Sequence, residues 1–187
     1  LQSGCKVVGA RTPVRPYPVL VSDNKIQYLP GFAIILCDNK LNRRQLRRSR
    51  GGLRVLDPDA FASIVDIEKA PSDPVMKAKW MESLRDAGEI DGFVIPRGIY
   101  EGANLVSRRH SLLPDGQNEG DPDFLPPAYS DLIVLLARNR FPNSISKEIS
   151  EREGETCWWV QNTMLGSLDP EMLEKIGVLV RHRQVRS

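Results

Sequence analysis

The chain has 187 residues and a formal net charge of only +2, and its apolar share of 41% and charged share of 27% are ordinary for a globular protein. A chain of this length can build a core without disulfides or a structural metal, and it suits one domain. No apolar run is long enough to cross a bilayer, so we expect no transmembrane segment. We expect a single compact α+β domain over residues 1–187.

Cysteine and histidine are sparse and dispersed along the chain. The three cysteines and two histidines are Cys5, Cys37, Cys157, His110 and His182. No Cys-x-x-Cys pair occurs, so the sequence predicts no metal site and no cofactor. A reducing compartment is the simplest interpretation of these cysteines, and no secretory signal is visible. We therefore expect an intracellular protein of the cytoplasm or nucleus.

The first forty residues read as β structure. Short apolar runs alternate there with proline and glycine, a pattern typical of strands and turns. The run Ala33 to Leu36 indicates a strand that is buried on both faces. We expect this β-rich part to belong to a mixed sheet, with helices packed on one face.

A block of arginine follows, between Lys40 and Arg54. It contains six arginines and no acid: Arg43, Arg44, Arg47, Arg48, Arg50 and Arg54. A helix would stack two of its i,i+4 pairs as like charges, at about a few tenths of a kcal/mol each, before Gly51-Gly52 end it. Guanidinium without a paired acid indicates an anionic partner, an acidic patch elsewhere in the fold, or a solvated surface.

An acidic segment comes next and contains two helix starts. Residues 57–91 carry nine acids against four bases, so they could pair with the arginine block. Asp57-Pro58 and Asp73-Pro74 each place a capping acid before a proline, which predicts that helices begin there. Gly88 would end the second helix, and residues 92–96 predict a strand.

The remaining chain begins with a long loop over residues 107–124, rich in turn residues, where a sub-domain boundary would fall. Beyond it we predict a helix from Pro126 to about Arg140. A strand over Thr156–Met164, centred on two tryptophans, comes next. The prediction ends with a short helix that is capped within residues 167–171, runs to Ile176 and is closed by Gly177, and with a last strand at 178–180.

The arginine block favours a non-enzymatic protein that binds RNA or another nucleic acid. Guanidinium groups neutralise phosphates without reading bases, so binding should weaken steeply with salt. Tyr28 and Phe32 lie upstream and no aromatic lies inside the block, which argues against base stacking as the main mode. The expected phosphate contacts are Arg43, Arg44, Arg47, Arg48 and Arg50, with Arg181, Arg183 and Arg186 as auxiliaries.

A second hypothesis comes from Pro126-Pro127-Ala128-Tyr129, which resembles the P-P-x-Y ligands of WW domains. Such ligands offer preformed polyproline II prolines and a tyrosine anchor to an aromatic groove. Viral matrix and budding proteins use similar motifs, so the resemblance implies a matrix-like or accessory interaction protein with Pro126, Pro127 and Tyr129 as contacts. Alternatively, the two prolines begin a helix and Tyr129 packs inside the fold.

A third hypothesis concerns Cys157, which precedes two tryptophans. This neighbourhood resembles that of the nucleophile in some papain-like viral proteases and implies a cysteine hydrolase. The thiol would need His182 or His110 as its base, and His182 is closer in sequence than those proteases usually place it. The alternative is a small buried cysteine in a core strand.

Overall fold

The structure is a computed structural model that describes residues 4–114 and 124–181. These residues cluster into two compact units, one comprising Leu1–Pro16 with Pro127–Ser187 and the other Tyr17–Pro126. Helices and strands are both abundant in the described ranges, which confirms the predicted α+β class. Contacts within each unit do not show whether the two units form one folding domain. The single domain expected over residues 1–187 therefore stays a prediction.

The described elements, in chain order, are β1 (Cys5–Arg11), β2 (Pro18–Val21), a 3-10 turn (Ile26–Tyr28), β3 (Ile34–Cys37), α1 (Lys40–Ser49), β4 (Arg54–Leu56), α2 (Pro58–Val65), α3 (Pro74–Asp86), β5 (Gly92–Pro96), α4 (Arg97–Gly102), β6 (Arg109–Ser111), β7 (Ile133–Arg138), α5 (Asn143–Ile149), α6 (Arg152–Leu165) and α7 (Pro170–Leu173).

The unit over Tyr17–Pro126 is built on a five-stranded mixed sheet in the order β4-β3-β5-β2-β6. Strand β3 runs parallel to β4 and β5, whereas β2 runs antiparallel to β5 and β6. β4 is therefore an edge strand, and the segment between β3 and β4 is a crossover that contains α1. This crossover places the arginine block beside one edge of the sheet.

Successive strand residues of this sheet face two separate apolar cores. Leu36 packs with helices α2, α3 and α4, which contribute Phe61, Met81 and Tyr100. Ile35 packs on the opposite face with Leu46 of α1. The helices therefore cover both faces of the sheet, whereas the sequence analysis placed them on one. The reason is that the central strands are apolar at every position and need a cover on each side.

The other unit pairs β1 with β7 in an antiparallel two-stranded sheet, with an irregular register between Val7 and Gly9. Helix α6 packs against β1. The contact requires Gly154, because a Cβ at this position would overlap the backbone of Arg11. The glycine thus lets a helix approach a strand at backbone distance.

Several local predictions in the C-terminal half are wrong. Residues 133–138 form strand β7 rather than a helix, and residues 156–164 lie in helix α6 rather than a strand. The buried positions of α6 recur at helical spacing, at Gly154, Cys157, Gln161 and Leu165. The two tryptophans suggested a strand because aromatic residues favour sheets. Residues 178–180 form no strand, and Gly177 makes only an isolated bridge to Pro127.

The two helices predicted from capping residues in the N-terminal half are confirmed. Helices α2 and α3 begin at Pro58 and Pro74, and the side chains of Asp57 and Asp73 accept hydrogen bonds from backbone N–H groups of the first turns. Strand β5 occupies residues 92–96 as predicted. The long loop at 107–124 contains a short strand, β6, that the sequence analysis did not find.

Candidate nucleic-acid interface

The arginine block forms helix α1, whose direction and ends are fixed by residues other than arginine. The Asn39 side chain accepts a hydrogen bond from the backbone N–H of Asn42 and caps the first turn. Leu41 and Leu46 are buried and fix which side faces the sheet. Gly52 adopts a φ of 87° just after the helix, a conformation that glycine takes at little cost.

Half of the block is committed to contacts within its own unit. Arg43 Nη1 donates to the carbonyl oxygens of Cys37 and Asp38, at 2.7 and 2.8 Å. Arg47 Nη2 donates to the Val55 carbonyl oxygen at 2.5 Å. Arg50 Nη1 donates to the carbonyl oxygen of Ile26 at 2.7 Å. We call Arg43, Arg47 and Arg50 the anchoring arginines, because they tie α1 to β3, β4 and the 3-10 turn.

The other half of the block is exposed. Arg44 and Arg48 are exposed one helical turn apart, and neither has a hydrogen-bond or ion-pair partner among residues 4–114 and 124–181. Arg54 is exposed at the start of edge strand β4, with its guanidinium carbon 5.9 Å from the centroid of the Phe32 ring. We call Arg44, Arg48 and Arg54 the open arginines.

The acidic segment at 57–91 does not neutralise these open arginines. Its one ion pair with the block, within the described part of the chain, joins Asp57 Oδ2 to Arg43 Nη1 at 2.9 Å. Other acids of the segment are used locally: Asp73 caps α3, and Asp91 accepts a hydrogen bond from the backbone N–H of Ile34. An acid of this segment therefore neutralises Arg43, whereas none of its acids forms an ion pair with an open arginine within the described residues.

Of the three auxiliary arginines, the structure describes Arg181 alone. Arg181 is exposed and belongs to the unit that contains Pro127–Ser187, whereas α1 belongs to the unit over Tyr17–Pro126. Arg183 and Arg186 lie outside the described residues. A contribution from these three residues stays a prediction.

Tyr28 and Phe32 precede the block in the sequence, and in the fold both lie in turns that contact its arginines. The anchoring bond from Arg50 reaches Ile26, which shares a single 3-10 turn with Tyr28. Arg54 stacks near Phe32. The sequence contained one hint, the Pro30-Gly31 turn before Phe32, but it could not show that this turn meets the start of β4 at Arg54.

The Pro126–Tyr129 segment is engaged by its own chain. The backbone N–H of Tyr129 donates to Gln161 Oε1 at 2.7 Å, and the Ala128 N–H donates to the Ile176 carbonyl oxygen at 3.3 Å. Tyr129 has a φ of 58°, far from the extended polyproline II conformation of a WW-domain ligand. The segment is a turn and not the helix start considered above. A WW domain would have to displace these contacts, and that hypothesis stays a prediction.

Cys157 lies buried within α6, where its sulfur accepts a hydrogen bond from Gln161 Nε2 at 3.2 Å. His182 lies outside the described residues. His110 lies on β6 in the other unit with Nε2 3.2 Å from the Ser22 carbonyl oxygen, and burial lowers the pKa of its imidazole. No described contact supplies this thiol with a base, so the hydrolase hypothesis rests on the sequence pattern alone.

Neither a protein-family model nor a curated protein matches this chain. Within the described ranges, no three side chains of metal-binding type come together in a cluster. The helices of those ranges are all too short or too polar to cross a membrane.

Proposed function

We propose that the unit over Tyr17–Pro126 binds the phosphate backbone of a nucleic acid through the open arginines. The observation that carries this proposal is the exposed pair Arg44 and Arg48, which lies one turn apart on α1 without a partner among the described residues. Arg48 lies in the last turn, where the helix dipole favours a cation. Arg44 lies in the middle of the helix and lacks that benefit, so a bound phosphate would give it a stabilising interaction that the described part of the fold does not supply.

The expected binding is weak and dominated by salt-sensitive contacts. Three open arginines neutralise about three phosphates, which gives a log–log salt slope between about −2 and −3. The affinity should then fall about 20-fold to 40-fold between roughly 50 and 200 mM salt. With a net charge of only +2, the rest of the protein adds little attraction, so the effect should depend on this surface.

The test is fluorescence anisotropy of labelled RNA and DNA oligonucleotides from about 50 to 300 mM salt. The test variant is Arg44→Ala/Arg48→Ala. The matched control is Arg140→Ala/Arg152→Ala, which removes two exposed arginines from the other unit and leaves the same net charge. We expect the test variant to lose about ten-fold in affinity at low salt, with a salt slope shallower by about 1.5, and the control to change less than about two-fold.

Equal losses in both variants would show that overall charge, and not this surface, governs binding. Absence of binding by the wild-type protein at the lowest salt would reject the proposal. A further variant, Arg44→Glu, separates binding from folding, because it replaces a like-charge pair with Arg48 by an opposite-charge pair at helical i,i+4 spacing. This variant should fold as well as wild type and bind more weakly than Arg44→Ala.

A further inference from the structure

We propose that the ligand of this surface is a single-stranded nucleic acid whose unpaired bases stack on Tyr28 and Phe32. This inference rests on the proposed function, since it places bases beside the phosphates that the open arginines would hold. It reverses the expectation, drawn from the absence of aromatic residues inside the block, that stacking plays no main part.

Phe32 is held in a conformation that its own side chain disfavours. It has a φ of 62°, and the backbone N–H of Ala33 donates to the Pro30 carbonyl oxygen at 3.3 Å, so Phe32 occupies the third position of a tight turn. A left-handed residue at that position is usually glycine or asparagine. For a bulky aromatic residue the conformation costs about 1–2 kcal/mol.

The Phe32 ring does not recover this cost by burial, because the residue is 70% exposed. Gly31 occupies the second position of the turn, whereas the left-handed third position, which glycine would occupy without strain, is occupied by Phe32. Strain that a buried contact does not offset points to a use for the exposed ring.

Tyr28 presents a second exposed ring on a fixed backbone. It is 74% exposed, whereas its neighbours Ile26 and Leu29 are each only 5% exposed. The backbone N–H of Tyr28 donates to the Lys25 carbonyl oxygen at 2.9 Å, and Arg50 holds the carbonyl of Ile26. The 3-10 turn is thus anchored from both the core and α1 while the tyrosine ring faces solvent.

One open arginine lies beside one of the two exposed rings. The guanidinium carbon of Arg54 lies 5.9 Å from the Phe32 ring centroid, within the range of a cation–π contact. Single-strand-binding surfaces combine cationic groups that follow the backbone with aromatic faces on which bases stack. Bases in a duplex are already stacked on one another, so exposed rings of this kind favour an unpaired strand.

The experiment compares three probes of equal length and equal backbone chemistry, each about twelve nucleotides long. They are oligothymidylate, an abasic oligomer that keeps the phosphates and lacks the bases, and the duplex of oligothymidylate with its complement. Anisotropy is measured for wild type, Phe32→Asn and Tyr28→Ser. Trp159→Ala is the control, because it removes an aromatic side chain of 62% exposure from the other unit. Circular dichroism confirms that each variant is folded.

We expect wild type to bind oligothymidylate about ten-fold or more tightly than the abasic oligomer, and more tightly than the duplex. Phe32→Asn and Tyr28→Ser should each lower the affinity for oligothymidylate at least about five-fold and leave the affinity for the abasic oligomer unchanged. Trp159→Ala should change neither affinity. Equal binding of oligothymidylate and the abasic oligomer would overturn the stacking inference and leave the proposed phosphate contacts intact. Failure of every probe to bind would overturn both.

Discussion

Arg43 of α1 and Asp57 at the start of α2 form an ion pair, with 2.9 Å between Nη1 and Oδ2. The pair connects the basic segment of the chain to the acidic one. Asp57 also caps α2 through its other carboxylate oxygen, which accepts a hydrogen bond from the backbone N–H of Asp59 at 3.1 Å. The ion pair therefore joins the arginine block to the start of α2, and the hydrogen bond from Arg43 Nη1 to the Cys37 carbonyl oxygen adds the end of β3. Arg43 thus stabilises the fold, whereas its neighbour Arg44 is exposed to solvent.

Replacement of Arg43 should destabilise the protein far more than replacement of its neighbour Arg44. Arg43→Ala removes hydrogen bonds to the carbonyls of Cys37 and Asp38 and leaves Asp57 without its partner, at a cost of about 2–4 kcal/mol. Arg44→Ala removes an exposed side chain and should change stability by less than about 0.5 kcal/mol. Urea denaturation gives both values. Similar losses for the two variants would contradict the division into anchoring and open arginines.

Phe32→Gly should stabilise the protein or leave its stability unchanged. Glycine accepts the φ of 62° without strain, and the exposed phenylalanine ring contributes little burial to lose. The expected gain is up to about 1 kcal/mol, reduced by the greater flexibility of glycine in the unfolded chain. Thermal unfolding followed by circular dichroism measures it. A loss above about 1 kcal/mol would mean that the ring packs more tightly than its exposure indicates.

Gln161→Met should destabilise the unit that contains β1, β7 and α6. Gln161 is 3% exposed, accepts the hydrogen bond from the Tyr129 N–H and donates to the Cys157 sulfur. Methionine keeps the volume but leaves a backbone donor unpaired, so we expect a loss of about 1–3 kcal/mol. The exposed neighbour Asn162 offers the control, since Asn162→Ala should have a small effect. An unchanged denaturation midpoint for Gln161→Met would show that the Tyr129 turn is not held by this side chain.

Cys37 should be resistant to thiol reagents in the folded protein, and its ionisation should weaken folding in alkali. Burial raises the pKa of its thiol from the ordinary value of 9.0 to about 12. The unfolded chain therefore releases the proton first, so stability is retained below pH 9 and falls as the pH rises from 9 towards 12. In the comparison of wild type with Cys37→Ala, the wild type should lose more stability over this range.

Native-state alkylation followed by peptide mass spectrometry provides the direct measurement. Cys5 is half-buried and should react before Cys37 and Cys157, which are both buried. Addition of denaturant should equalise the three rates. Labelling of Cys37 at the rate of Cys5 under native conditions would contradict its placement in the core.

Local signals in the sequence were enough to place α2, α3 and β5. Capping acids before Pro58 and Pro74 act within a few residues, so their meaning does not depend on the rest of the fold. By contrast, residues 133–138 became a strand because β1, at the other end of the chain, pairs with them. An apolar run of that length is compatible with either a helix or a strand, and the distant partner decides between them.

The same distinction applies to the candidate interface. By itself the sequence determined that a dense arginine block exists, that a helix within it would end before Gly51-Gly52, and that no acid within the block cancels its charge. Only the tertiary structure decided which arginines are committed, because the carbonyls of Val55 and Ile26 reach Arg47 and Arg50 through strand pairing and core packing. Sequence spacing describes neighbours along a helix, whereas hydrogen-bond partners on other elements are fixed by packing.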